Sequence, residues 1–179
     1  YHLLTQHQVR HLLVLNGSGL PAGIVSLTDF ERHLSLAYYR RLKDVQSVMQ
    51  HSLPTLAPQA TIAEAVYAMA ENHSSCVVVV EAQKPVGLLT ERDVVRLYRH
   101  HATRQRAIAH VMTQAPLCIT AKTSVAEAAE LMHSRGIRHL PVVDEQGLLV
   151  GLVGEADLLQ RLETELVDIS GRNTQRTRR

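Results

Sequence analysis

Short unbroken apolar runs recur along this chain at a fixed distance from helical patterns. Val77 to Val80 and Val86 to Leu89 flank Glu-Ala-Gln-Lys-Pro, and Leu140 to Val143 and Leu149 to Val153 flank Asp-Glu-Gln-Gly-Leu. Runs of this length bounded by turn residues predict hairpins of two short strands. They do not alternate, so both faces of each sheet should be covered, one by helices and the other by a second unit. Ahead of each hairpin the period changes. Ile62, Ala65, Val66 and Met69, and likewise Val125, Ala128, Ala129 and Met132, recur at helical spacing and give each helix one apolar stripe. Thr61-Ile-Ala-Glu64 and Ser124-Val-Ala-Glu127 are capping boxes that start these helices, and Gly136 suits a left-handed C-terminal cap. Further helices are predicted at Thr90-Glu-Arg-Asp93 and Gly154-Glu-Ala-Asp157. Each unit therefore reads strand, helix, strand, strand, helix.

The pattern is an internal repeat. Val48-Met49, Ala63-Glu64-Ala65, Met69 and Val79-Val80 return 63 positions later as Val111-Met112, Ala126-Glu127-Ala128, Met132 and Val142-Val143. One inserted residue then moves the offset to 64, matching Gly87 to Gly151 and Asp93 to Asp157. Upstream, Arg10-His11-Leu12 echoes Arg138-His139-Leu140, and Gly23 precedes Asp29 as Gly87 precedes Asp93. The chain divides into a half repeat over 1–44, full repeats over 45–106 and 107–166, and a basic tail over 167–179. Apolar residues at 158, 159, 162 and 166 predict a helical seam running past the last repeat, and the polar tail predicts weak order.

Composition narrows the function classes. The formal net charge is +2, and with the four arginines of 171–179 set aside it falls to −2, so the folded part carries no basic footprint for nucleic acid. No apolar run approaches the ~20 residues of a membrane span, and the N-terminus lacks a signal pattern. Cys76 and Cys118 both lie in apolar runs and read as reduced, buried thiols of a cytoplasmic protein. Among the 11 histidines one pair, His7 and His11, stands four apart, and with no Cys-x-x-Cys beside it no metal site is expected. Gly17-Ser-Gly19-x-x-x-Gly23 has the wrong spacing for a dinucleotide loop and reads as a turn. No nucleophile, base and acid stand at a catalytic spacing, so the chain is expected to be no enzyme.

Val111-Met-Thr, Ser-Val-Ala-Glu-Ala, Gly136-Ile-Arg-His-Leu-Pro-Val-Val-Asp144 and Gly151-Leu-Val, with Asp157 six residues past the glycine, resemble the CBS domain in content and order. The resemblance covers about residues 1–165 and implies an α/β fold of tandem CBS repeats. Each would carry a small three-stranded sheet, and two repeats would pack sheet to sheet as a Bateman module. It further implies clefts between the repeats for an adenine ligand: AMP, ADP, ATP or S-adenosylmethionine. In Gly-x-x-[Ser/Thr]-x-x-Asp the hydroxyl would meet phosphate and the carboxylate would accept from the ribose hydroxyls, as an acceptor-only group can. Gly87, Thr90 and Asp93 fit fully, as do Gly23, Ser26 and Asp29 of the half repeat. In the last repeat Gly154 replaces the hydroxyl, leaving Asp157 and, for phosphate, the glycine backbone. The adenine slot maps by resemblance to Thr55, Leu56 and Ser74, and to Cys118, Ile119, Ile137 and Pro141. Arg138 and His139 stand where relatives place phosphate-binding cations.

Each feature also has a plainer reading. Thr90-x-x-Asp93 is a helix cap in its own right, and His11 and His139 beside apolar strands fit structural histidines. The two functional readings are a nucleotide-sensing regulatory module and a ligand-independent dimerisation scaffold. Either predicts a homodimer, because the half repeat exposes Leu12 to Leu15 and Ile24 to Leu27. By family analogy the regulated output would be a diguanylate cyclase, phosphodiesterase or sensor kinase segment outside the chain.

Overall fold

A computed structural model describes residues 2–7, 9–26, 29, 44–99 and 104–158. The seam beyond 158 and the tail over 167–179 lie outside them. A short helix α1 (His2–Gln6) leads into the hairpin β1 (His11–Leu15) and β2 (Pro21–Ser26) of the half repeat. The middle repeat follows as β3 (Thr55–Leu56), α2 (Ile62–Glu71), β4 (Cys76–Glu81), β5 (Lys84–Thr90) and α3 (Glu91–Arg99). After β6 (Thr113–Gln114), the last repeat runs β7 (Ile119–Thr120), α4 (Val125–Arg135), β8 (His139–Val143) and β9 (Leu149–Gly154), and the chain is helical again over 155–158. No helix among the described residues is long and apolar enough to cross a membrane.

The expected strand, helix, strand, strand, helix order holds, and so does the burial of both sheet faces. Val77 and Val79 of β4 enter the core under α2 with Ile62, Ala65 and Met69. Cys76 and Val78, the alternate residues, join Leu88 and Leu152 in a separate cluster between the two repeats. A strand's side chains alternate in direction, so an unbroken apolar run serves two cores at once. This is the sheet-to-sheet packing, and Leu149 N–H donating to Gln83 C=O at 2.8 Å ties the two hairpins together. Thr61 forms the full capping box with Glu64, while Ser124 accepts from Glu127 N–H. Gly136 closes α4 at φ 64° in the left-handed region, and His73 holds the matching place after α2 at φ 50°. Val66 departs from the predicted stripe: it is 42% exposed, one helical position off the buried face.

The middle sheet has four strands where three were expected, ordered β3-β4-β5-β6, against β7-β8-β9 in the last repeat. The extra strand shows an exchange of leading segments. Residues 107–112 dock on the middle repeat, with Ile108 buried among Ile62, Ala65 and Leu89. Residues 44–49 dock on the last repeat, with Val45 buried among Val125, Ala128 and Leu140. The two contacts are copies of each other. Ile108 N–H donates to Ala60 C=O and Val45 N–H to Thr123 C=O, both at 2.8 Å. Thr113 pairs with Leu88 in β5, and Gln50 forms a bridge to Leu152 in β9.

This exchange explains the repeated Val-Met and Gly. A Cβ at Gly87 would run into the Met112 side chain, and one at Gly151 would lie 2.9 Å from Met49 Sδ and 3.0 Å from Gln50 C=O. Each glycine makes room for the methionine that its repeat borrows. All three hairpins share one register irregularity, after Val14, Val79 and Val142, each of which stands opposite a glycine: Gly23, Gly87 and Gly151.

Candidate functional site

The end of β5, the start of α3, the end of β9 and the turn at 155–158 face one another across the packed repeats and bound a cleft of about 1120 Å³. Thr90, Asp93, Asp157, Ser74, Ile137, Arg138 and His139 line it, and the half repeat contributes Ser26, Arg10 and His11. Residues that stand 64 to 128 positions apart in three repeats thus share one wall.

The helix caps are built alike. Thr90 N–H and Oγ–H donate to Asp93 Oδ2 at 3.1 and 2.6 Å, and Asp93 N–H donates back to Thr90 Oγ1 at 3.3 Å. Ser26 and Asp29 repeat this at 2.8, 2.7 and 3.3 Å. Gly154 N–H donates to Asp157 Oδ2 at 2.7 Å. That amide is therefore already engaged and does not stand ready for phosphate, contrary to the expectation for the last repeat. Among the described residues Asp93 Oδ1 meets only Arg96, at 3.7 Å, whereas Asp157 Oδ1 accepts from Gln50 Nε2 at 2.7 Å. Burial pushes the Asp157 carboxyl above the usual carboxylate range, and the Gln50 and Gly154 donors pull it back.

Arg10, Arg92, Arg96, Arg135 and Arg138 line the cleft against four carboxylates, those of Glu91, Asp93, Glu155 and Asp157, so its balance favours an anion. Arg138 pairs loosely with Glu155 at 3.7 Å and stays half exposed. His139 does not serve as the phosphate-neutralising cation expected of it. Burial, and next the Arg138 charge, lower its pKa to about 4, and its Nε2 lies 2.9 Å from Ser75 Oγ of the middle repeat. It is a neutral tie between repeats.

Several residues assigned to the adenine slot sit elsewhere. Leu56 packs against the middle core, Ile119 is buried in the last core, and Pro141 is buried inside β8. Thr55 is exposed on β3, and Gly87 faces Met112 instead of the cleft. Cys118 Sγ–H donates to Pro116 C=O at 3.3 Å, outside the lining. Burial pushes the Cys76 thiol up to about 12 and that of Cys118 upward. The lining comes from residues nearer the exchanged segments: Gln50, Thr113, Ala115, Pro116 and Leu117. Their signal was present, since Gln50 and Thr113 each directly follow the repeated Val-Met, but its meaning depended on the exchange.

The family model described as "CBS domain" matches residues 43–100 and 108–164. An uncharacterized protein of Methanopyrus kandleri is 36% identical over 67% of this chain, which spans 63% of that protein's length. An uncharacterized conserved protein from Pyrococcus horikoshii superimposes over 89% of this chain and 72% of its own, at 26% identity and TM-score 0.72. A CBS domain protein from Pyrobaculum aerophilum, solved complexed with AMP, covers 68% of this chain and 98% of its own, at 25% identity and TM-score 0.61.

Proposed function

This chain belongs to the CBS domain family with a tandem pair of repeats, and on that premise we propose that it senses an adenine nucleotide and passes the bound state to an output domain. One observation carries the reading. The Asp93 carboxylate, oriented by its own helix cap, keeps Oδ1 for a ligand in an arginine-rich cleft walled by both repeats. A ribose edge would donate to Asp93, and phosphate would draw on Arg138 and the other lining arginines, with Thr90 at the start of α3. Ser74 and Ile137, one before each central strand, would hold the base. The AMP complex of the Pyrobaculum aerophilum relative supports the ligand class.

Ligand bound between repeats favours one packing of the pair, which is how a module without catalytic groups biases a partner. We further propose a homodimer, since Leu13, Leu15, Leu20 and Ile24 of the half repeat are each more than half exposed. Reduced thiols fit a cytoplasmic setting.

The test is calorimetric titration of AMP, ATP and S-adenosylmethionine into wild type and Asp93→Asn. The amide keeps an oxygen for Thr90 and turns a donor toward the ribose, so the fold should persist while affinity falls about tenfold or more, as for losing a hydrogen bond to a charged group. Equal affinity in the two proteins would leave Thr90-x-x-Asp93 as a helix cap and favour the scaffold reading.

A further inference from the structure

The two halves of the cleft are related by the repeat, yet they differ at the place that directly follows each borrowed methionine. Gln50 and Thr113 hold equivalent places, each directly after a borrowed methionine and each paired with a leucine of the receiving sheet. Thr113 is short, and among the described residues no side chain but Thr90 and Arg96 reaches Asp93. Gln50 is longer. Its backbone is pinned to Leu152 by two hydrogen bonds of 2.8 and 3.0 Å, and from there its amide spans to Asp157 Oδ1 at 2.7 Å. With Oδ2 held by Gly154 N–H, both oxygens of Asp157 are engaged.

We propose that Gln50 is a built-in plug: it stands where a ribose hydroxyl would donate to Asp157, so that the pair holds one nucleotide, at Asp93, and not two. This rests on the nucleotide reading above. The arrangement is chemically apt, because a primary amide donates to the carboxylate as a ribose hydroxyl does, and it comes from within the chain at high effective concentration. Gly154 contributes to the same outcome by offering no hydroxyl on that side. The asymmetry belongs to the sequence, since exchanging Gln for Thr at one borrowed segment would make the two halves alike at this place.

The experiment is titration of AMP into wild type, Gln50→Ala and Gln50→Ala/Asp157→Asn, together with a carbon-detected NMR titration of the Asp157 carboxyl without ligand. Gln50 is exposed and its backbone pairing does not need the side chain, so the variant should fold. The expected result is one AMP per chain in wild type, a second in Gln50→Ala, and one again in the double variant. Loss of the Gln50 donor should also move the Asp157 carboxyl pKa upward. Two AMP per wild-type chain, no gain of an AMP in Gln50→Ala over wild type, or an unmoved Asp157 carboxyl would overturn the plug. Binding seen only in Gln50→Ala would instead sink the Asp93 reading while leaving the plug standing.

Discussion

Thr90 shows how one side chain serves two ends. Its hydroxyl donates to Asp93 at 2.6 Å and accepts from Asp93 N–H at 3.3 Å, so capping and ligand contact draw on the same atoms. A carboxylate in its place would face Asp93 at hydrogen-bonding distance and repel it, although an acid is ordinarily welcome at a helix start. His139 makes a comparable point about charge. Its folded pKa is about 4 against an ordinary 6.5, so between those values the unfolded chain binds a proton that the folded chain refuses. Stability is therefore full above about pH 6.5 and declines as pH falls toward 4, at about 1 kcal/mol per pH unit for this group. Urea unfolding across that window should show the decline in wild type and a shallower one in His139→Gln. Parallel curves would mean that the ring is not desolvated at the repeat interface.

At the scale of elements, the borrowed segments decide the packing. Gly87→Ala should destabilise by about 1–3 kcal/mol, the usual cost of overpacking, because its methyl meets Met112. Trimming Met112 to Ala should recover part of that loss, whereas trimming Met49 should not, since Met49 lies against Gly151. A double-mutant cycle with no preference between the two methionines would refute the exchange. The hairpin of the middle repeat holds a second lesson. β4 and β5 are joined by Ala82 and Gln83 at φ 46° and 63°, a left-handed pair that Asn-Gly adopts with less strain. Ala82→Asn/Gln83→Gly should raise stability by about 1 kcal/mol, read from the denaturation midpoint at unchanged slope. The Gln83 carbonyl keeps its bond from Leu149, so the interface between hairpins is not altered by the change.

For the whole molecule, the half repeat bears on assembly. Its hairpin keeps the register of the other two, with His11 opposite Ser26 as Cys76 is opposite Thr90 and His139 opposite Gly154. Yet Leu13 is 62% exposed and Ile24 64%, where Val78 and Leu88 in the middle repeat are buried against the last one. Covering that face in a second copy would remove apolar surface from water at both protomers. Light scattering at tens of micromolar should give twice the chain's 19.9 kDa, and Ile24→Glu should halve the mass. A monomeric wild type would count against the dimer. A dimer would also bring Arg10 and Ser26, which line the cleft, under the influence of assembly.

The amino-acid sequence alone determined the features set by near neighbours. Helix starts at Thr61 and Ser124, the left-handed cap at Gly136 and the paired strands follow from spacing within a few residues, where propensity and periodicity act, and the repeat shows in the return of those same local patterns. The unbroken Val runs even announced that the sheets would be covered on both sides. Tertiary structure decided the rest: that Val45 and Ile108 cross into each other's repeat, that Leu56, Ile119 and Pro141 turn inward while Gln50 and Thr113 line the cleft, and that His139 stays neutral. The physical reason is distance along the chain. Gln50 meets Asp157 across 107 residues, and His139 meets Ser75 across 64. A repeat carries two equivalent places for each leading segment, its own sheet or the neighbour's, and local pattern is the same for both; only the packed pair breaks that tie.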